Sequence, residues 1–136
     1  MLTTYSGVLA VKALATTTIT SSAATGNAVD TGLFGNNFRD VLFIVNSGTL
    51  VDGSYAVTVE ESDSSGSGYA AVDSSRLVGS LPSFASTDDG VWASFGVRNT
   101  KRYVRIVVTP TGATSGGPFT GTAVLGNGSL NPAAHS

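Results

Sequence analysis

Apolar and polar residues alternate along most of this chain with the two-residue period of extended backbone. Between Arg39 and Asn46, Val41, Phe43 and Val45 share one face, while Leu42 and Ile44 share the other. Apolar side chains on both faces predict a central strand shielded from water on each side. From Tyr55 to Glu60, Tyr55, Val57 and Val59 alternate with Ala56, Thr58 and Glu60, the pattern of a strand with one buried face. Lys101 to Thr109 carries the strongest signal: Val104, Ile106 and Val108 face one way, and Tyr103, Arg105 and Val107 the other. Val91–Val97 and Phe119–Leu125 read as further strands. Weaker candidates lie at 5–12 and 16–21, the second strongly β-branched, with a short extended piece at 28–32 and a returning strand at Tyr69–Val72.

Turn chemistry separates these runs. Gly35-Asn36-Asn37, the hairpin-favouring Asp52-Gly53, the Ser62–Gly68 loop, Asp88-Asp89-Gly90, Asn99–Lys101 and the glycine-rich Pro110–Pro118 punctuate the chain. The stretch 73–90 is less regular. No stretch keeps apolar residues at helical spacing over three turns. The expected fold is therefore all-β: an antiparallel β-sandwich or jelly-roll-like barrel of about seven to nine strands. It is expected to comprise an N-terminal arm or first strand (1–14), one sandwich domain (15–126) and a polar C-terminal tail (127–136).

Composition narrows what such a domain does. Charged residues make up 12% of the 136, about half the usual share, and 17 Thr and 18 Ser take their place on polar faces. The formal net charge is −2 and only two Lys and five Arg are present, which argues against nucleic acid as a partner. Val8–Ala15 is apolar but interrupted by Lys12, so it reads as a strand or arm rather than a secretory leader. No run approaches the roughly 18 apolar residues of a membrane helix, and a soluble protein is expected.

Catalytic machinery is not legible. Cysteine is absent, which removes disulfides and thiolate sites, and the one histidine is His135, next to the C-terminal residue. Glu60 and Glu61 are neighbours on a strand and project to opposite faces, so they cannot act as a carboxylate pair. Asp88-Asp89 suits a turn. Glu61, Asp63, Ser65 and Ser67 echo an oxygen-rich cation loop, yet position 72, where an EF-hand would close with Glu, is Val. No enzyme activity, cofactor or metal is expected.

Two groups of residues suit protein contacts. Arg98, Lys101, Arg102 and Arg105 place four of the seven basic residues within eight positions; they form either a solvated face paired to local carboxylates or a contact surface for an acidic partner. Leu2, Tyr5, Val8, Leu9 and Val11 could add to the sheet edge of another chain, or form the first strand of their own sandwich. Trp92, Tyr69 and Tyr55 would be needed exposed for a carbohydrate-binding module; their places in or beside strands predict core packing instead.

The ordered blocks Ala15–Ser22, Phe43-Ile44-Val45-Asn46-Ser47-Gly48-Thr49, Asp52-Gly53-Ser54-Tyr55, Val59-Glu60-Glu61-Ser62-Asp63, Lys101-Arg102-Tyr103-Val104-Arg105 and Ala123-Val124-Leu125-Gly126 resemble small proteins from the head modules of tailed bacteriophages. The resemblance spans roughly residues 15–126. It implies a virion structural protein, foremost a capsid cement or decoration protein. Such a protein would bind the major capsid protein on the outer surface of the head and would form a homo-oligomer, with a trimer favoured. A head–tail or tail component is the alternative it leaves open, and a carbohydrate-binding sandwich module is a more distant one.

Overall fold

A computed structural model describes residues 3–129. Leu2, His135 and most of the expected tail lie outside them. Eleven strands are present among the described residues: β1 (Leu9–Ile19), β2 (Ala24–Thr25), β3 (Val29–Asp30), β4 (Phe38–Ser47), β5 (Ser54–Ser62), β6 (Ala70–Ala71), β7 (Leu77–Val78), β8 (Ser83–Ala85), β9 (Trp92–Arg98), β10 (Tyr103–Thr111) and β11 (Gly117–Gly128). One helical turn, α1 (Thr4–Gly7), precedes them, capped by the Thr3 side chain on the Ser6 amide. Residues 4–7 are thus helical rather than extended. The two weak strand candidates at 5–12 and 16–21 merge into the single strand β1.

The strands form two antiparallel sheets, which settles the architecture as a β-sandwich. A five-stranded sheet runs β1-β11-β4-β9-β7. The six-stranded sheet runs β2-β10-β5-β6, with β3 also on β10 and β8 also on β5. The chain passes from one sheet to the other after most strands; the exceptions are β2 and β3, which both pair β10, and β5 and β6, which form a hairpin around the 62–69 tip. This corrects the reading of Asp52-Gly53 as a hairpin turn. β4 and β5 belong to different sheets, so the segment between them is a crossover. The Asp52 carboxylate accepts the backbone N–H groups of Thr114, Ser115 and Gly116, tying that crossover to the β10–β11 turn.

Alternation places the core. Val41, Phe43 and Val45 of β4, Tyr55, Val57 and Val59 of β5, and Val104, Ile106 and Val108 of β10 all lie at 3% exposure or less. Burying a side chain of this size contributes about 1.5–3 kcal/mol. Phe119 joins the two halves of the core, with the Tyr55 ring at 4.9 Å and the Phe84 ring edge-on at 5.2 Å. The Tyr55 hydroxyl donates to the Asp52 carbonyl at 2.7 Å, so its polar end is satisfied at the core boundary.

Where the sheet closes, glycine is required. Gly116 has φ +67, and a Cβ there would lie 1.7 Å from the Ile19 carbonyl oxygen. Only glycine allows both the left-handed turn and that approach.

β4 is the middle strand of its sheet, but its outer face is not shielded. Leu42 is 42% exposed and Ile44 is half-buried. The apolar residues on that face are uncovered.

Candidate functional site: one end and one face of the sandwich

The antiparallel register brings the N-terminal segment and the basic cluster to the same end of the molecule. β1 begins beside the end of β11 (Leu9 opposite Leu125), β11 ends beside the start of β4 (Gly128 opposite Phe38), and β4 starts beside the end of β9 (Asp40 opposite Arg98). β10 starts at this end in the other sheet, across the Asn99–Arg102 turn.

The predicted contact residues then divide. Tyr5 is 71% exposed in α1, and Val8 is the half-buried residue that ends it. Leu9 is 4% exposed and belongs to the core. Val11 is half-buried on the inner face opposite Ala123. Residues 9–14 are built into the protein's own sheet, with Ala13 and Leu14 also buried, so a detachable arm within the described residues extends no further than Val8.

Most of the basic cluster is already paired. The Arg102 guanidinium grips Asp30 with two hydrogen bonds, at 2.8 and 2.9 Å. That grip, helped by the Gly32 N–H, holds the Asp30 carboxyl below its ordinary range. Arg105 bonds Glu60 at 2.9 Å and lies over the Tyr69 ring, 3.7 Å from its centre. Lys101 reaches Asp63 at 3.1 Å, an exposed contact of small energetic weight. Arg98 has no ion pair among the described residues, and neither does Arg39, which sequence reasoning did not single out.

Arg39, Lys101 and Arg102 rim a groove of about 510 Å³ with Thr31, Asn36 and Asn99 on its walls. The buried Asn99 Oδ1 has no hydrogen-bond partner. Arg39 was recoverable from the sequence only by knowing that the start of β4 meets the turn before β10.

Sequence reasoning also missed Arg76. It lies in the 73–90 crossover, in a one-turn helix (Ser74–Arg76) begun by the Asp73 side chain on the Ser75 amide. Its guanidinium clamps Glu61 through both carboxylate oxygens, one bond at 2.8 Å, and also donates to the Arg98 carbonyl. Glu61 is 6% exposed, and the Arg76 bond outweighs burial to hold its carboxyl below the ordinary value. The Glu61 carboxylate is taken up by Arg76, with the Thr100 hydroxyl also donating to it. Glu60 bonds Arg105 on the opposite face, as neighbours on a strand must.

The outer face of the five-stranded sheet is a second surface. Cross-strand partners align Ala10, Val124, Leu42, Gly96 and Val78 in one apolar row across all five strands. The next row is Lys12, Thr122, Ile44 and Ser94, and beyond it stand Thr120, Asn46 and Trp92. Trp92 is 72% exposed, which corrects its expected core packing; Tyr55 is buried as expected, and Tyr69 is half-buried under Arg105. Leu42, Ile44, Trp92, Ala93 and Ser94 line a shallow depression of about 190 Å³. The register shifts in β1 around Leu14 open another of about 390 Å³, lined by Lys12, Thr16, Thr120 and Thr122 among others.

Fold and surfaces together define an antiparallel β-sandwich with a charged, self-paired end and a bare apolar sheet face. No protein-family model and no curated protein matches the chain. Among solved structures, it is similar to the PBSX exported protein XepA, with a TM-score of 0.61 and 18% identity. The match covers 93% of this chain and 40% of XepA, so the chain spans well under half of that protein's length. This likeness shows a shared fold. The CBM22-1-GH10 modules of Clostridium thermocellum endo-1,4-beta-D-xylanase 10B, complexed with xylohexaose, align at a TM-score of 0.36 and 10% identity, over 96% of this chain and 28% of that one.

Proposed function

We propose that this protein is a non-enzymatic virion component of a tailed phage, a cement or decoration protein that docks on the outer face of the capsid. The observation that carries the reading is the convergence of exposed Tyr5, the half-buried Val8 and the groove rimmed by Arg39, Lys101 and Arg102 on one end of a stiff sandwich. Such an end suits an acidic, partly apolar patch on a shell subunit, since charge steers encounter and aromatic and Arg contacts anchor it. The sandwich shared with XepA, a phage-derived exported protein, supports the phage setting. The resemblance of the strand-and-turn blocks to phage head-module proteins supports the capsid role.

The test is co-sedimentation with purified capsids of the phage that encodes the chain. Arg39→Glu with Lys101→Glu should weaken binding at least tenfold while thermal unfolding stays unchanged, and deletion of residues 1–7 should weaken it independently. Deletion to residue 14 is unsuitable, because it removes Leu9, Ala13 and Leu14 from the core. Undiminished capsid binding by both the double variant and the truncation at moderate salt would remove this end from the mechanism. Absence of the protein from purified virions would remove the reading altogether.

A further inference from the structure

The outer face of the five-stranded sheet is uncovered and carries no charge at its centre. Its middle is uncharged: an apolar row of Val124, Leu42 and Gly96, continued to Val78 on the edge strand, lies beside Ile44 flanked by Thr122 and Ser94. Charges stand only at its margins, as Lys12 on β1 and the cross-strand neighbours Asp40 and Arg98. A face without net charge at its centre meets a second copy with no like-charge repulsion. The outer face of the six-stranded sheet differs, carrying the Glu60–Arg105–Tyr69 contact.

Shape points the same way. Trp92 stands on β9, one strand from β4 on one side, in register with Asn46. The groove lined by Lys12, Thr16, Thr120 and Thr122 lies over β11 and β1, on the other side of β4, and Thr120 is paired with that same Asn46. A two-fold axis along β4, in the plane between two facing copies, exchanges these two sides. It carries each Trp92 ring over the groove of the other copy and sets the two Leu42–Ile44 ridges together. The knob and the hole occupy mirrored places about one strand.

Size is consistent. Five strands about 4.8 Å apart, with residues rising about 3.4 Å along them, give a face on the order of 600–700 Å². A standard interface takes about 800 Å² from each partner.

We infer that this face is a two-fold interface between two copies of the chain, with Trp92 of each copy seated in the β1–β11 groove of the other. The inference stands apart from capsid binding, which uses the end of the sandwich. It also departs from the trimer that the phage resemblance implies.

The chain has one tryptophan, so Trp92 reports on its own interface. The whole protein should weigh twice its 13.7 kDa by sedimentation equilibrium at micromolar concentrations, with Trp emission shifting to the blue as concentration rises. Leu42→Glu on the ridge and Thr122→Arg in the groove should each raise the dissociation constant at least tenfold, with unchanged circular dichroism and a red-shifted emission. Thr58→Glu, on the outer face of the other sheet, should leave association intact. A monomer with water-exposed emission at every concentration would overturn the inference. So would a closed trimer, or association indifferent to both variants. Emission that responds to soluble polysaccharide while the mass stays that of a monomer would overturn it in favour of a sugar site.

Discussion

The two ends of the sandwich hold their loops by different chemistry. At the end where β4 begins, side chains hold side chains: Arg76 with Glu61, Arg102 with Asp30, Lys101 with Asp63. At the end where β4 stops, carboxylates hold backbone. Asp52 takes the amides of residues 114–116, Asp88 takes that of Ala85, and Asp89 takes that of Leu50. Most of the charge in this sparingly charged chain is thus spent on internal fastening. At the cationic end only Arg39 and Arg98 remain without an ion pair among the described residues.

The largest expected effect lies at the backbone-held end. Gly116→Val forces a β-branched residue into a left-handed turn and against the Ile19 carbonyl, and should cost on the order of 4 kcal/mol in urea unfolding. At the opposite end, Arg76→Ala leaves Glu61 buried without its partner. Removing one partner of a fully buried pair costs about 3–5 kcal/mol; because the Arg76 side chain keeps 23% of its surface in water, about 2 kcal/mol is expected. Replacing both residues by leucine should recover most of that loss. Asp52→Ala, at the backbone-held end, should lower the melting temperature by a few degrees. It acts by releasing three amides together, so its effect should persist in high salt.

Acid should loosen both ends. Glu61, Asp30 and Asp52 all have folded-state values below their ordinary ones of 4.5, 3.8 and 3.8. A depressed carboxyl stabilises fully above its unfolded value, and that stability is lost as pH falls through the folded one. The melting temperature should therefore be flat from pH 7 to about 5 and decline below about 4. In Arg76→Ala the decline should be shallower, since Glu61 no longer contributes to it. The smallest effect belongs to Lys101→Ala. Lys101 and Asp63 are 46% and 74% exposed, and a change above about 0.5 kcal/mol would contradict the solvated character of that pair.

The inner faces were legible in the sequence because the two-residue period dictates them. Val104, Ile106 and Val108 could face only one way together, and they form the centre of the core. The hairpin with the Ser62–Gly68 tip was legible too. Period alone does not say which strand lies beside which, so Asp52-Gly53 looked like a local turn although it joins opposite sheets. Leu42 and Ile44 misled for another reason: an uncovered apolar face and a core share the same side-chain chemistry, and only the absence of a covering layer separates them. Trp92 was misplaced on the same ground. The Arg76–Glu61 clamp spans fifteen residues and depends on how the 73–90 crossover closes over the sheet end, which no local pattern encodes.

β11 comes last among the long strands of the described residues and is one of the innermost placed, lying between β1 and β4. A nascent chain leaving the ribosome therefore exposes two long strands with vacant hydrogen-bonding edges until residue 128 has emerged, and nothing earlier in the chain can fill that slot. The sandwich cannot close before β11 is made, and with nearly every pairing distant along the chain its folding should proceed in milliseconds to seconds rather than microseconds. Cutting the chain back past Leu125 would disrupt that slot and turn the product toward aggregation.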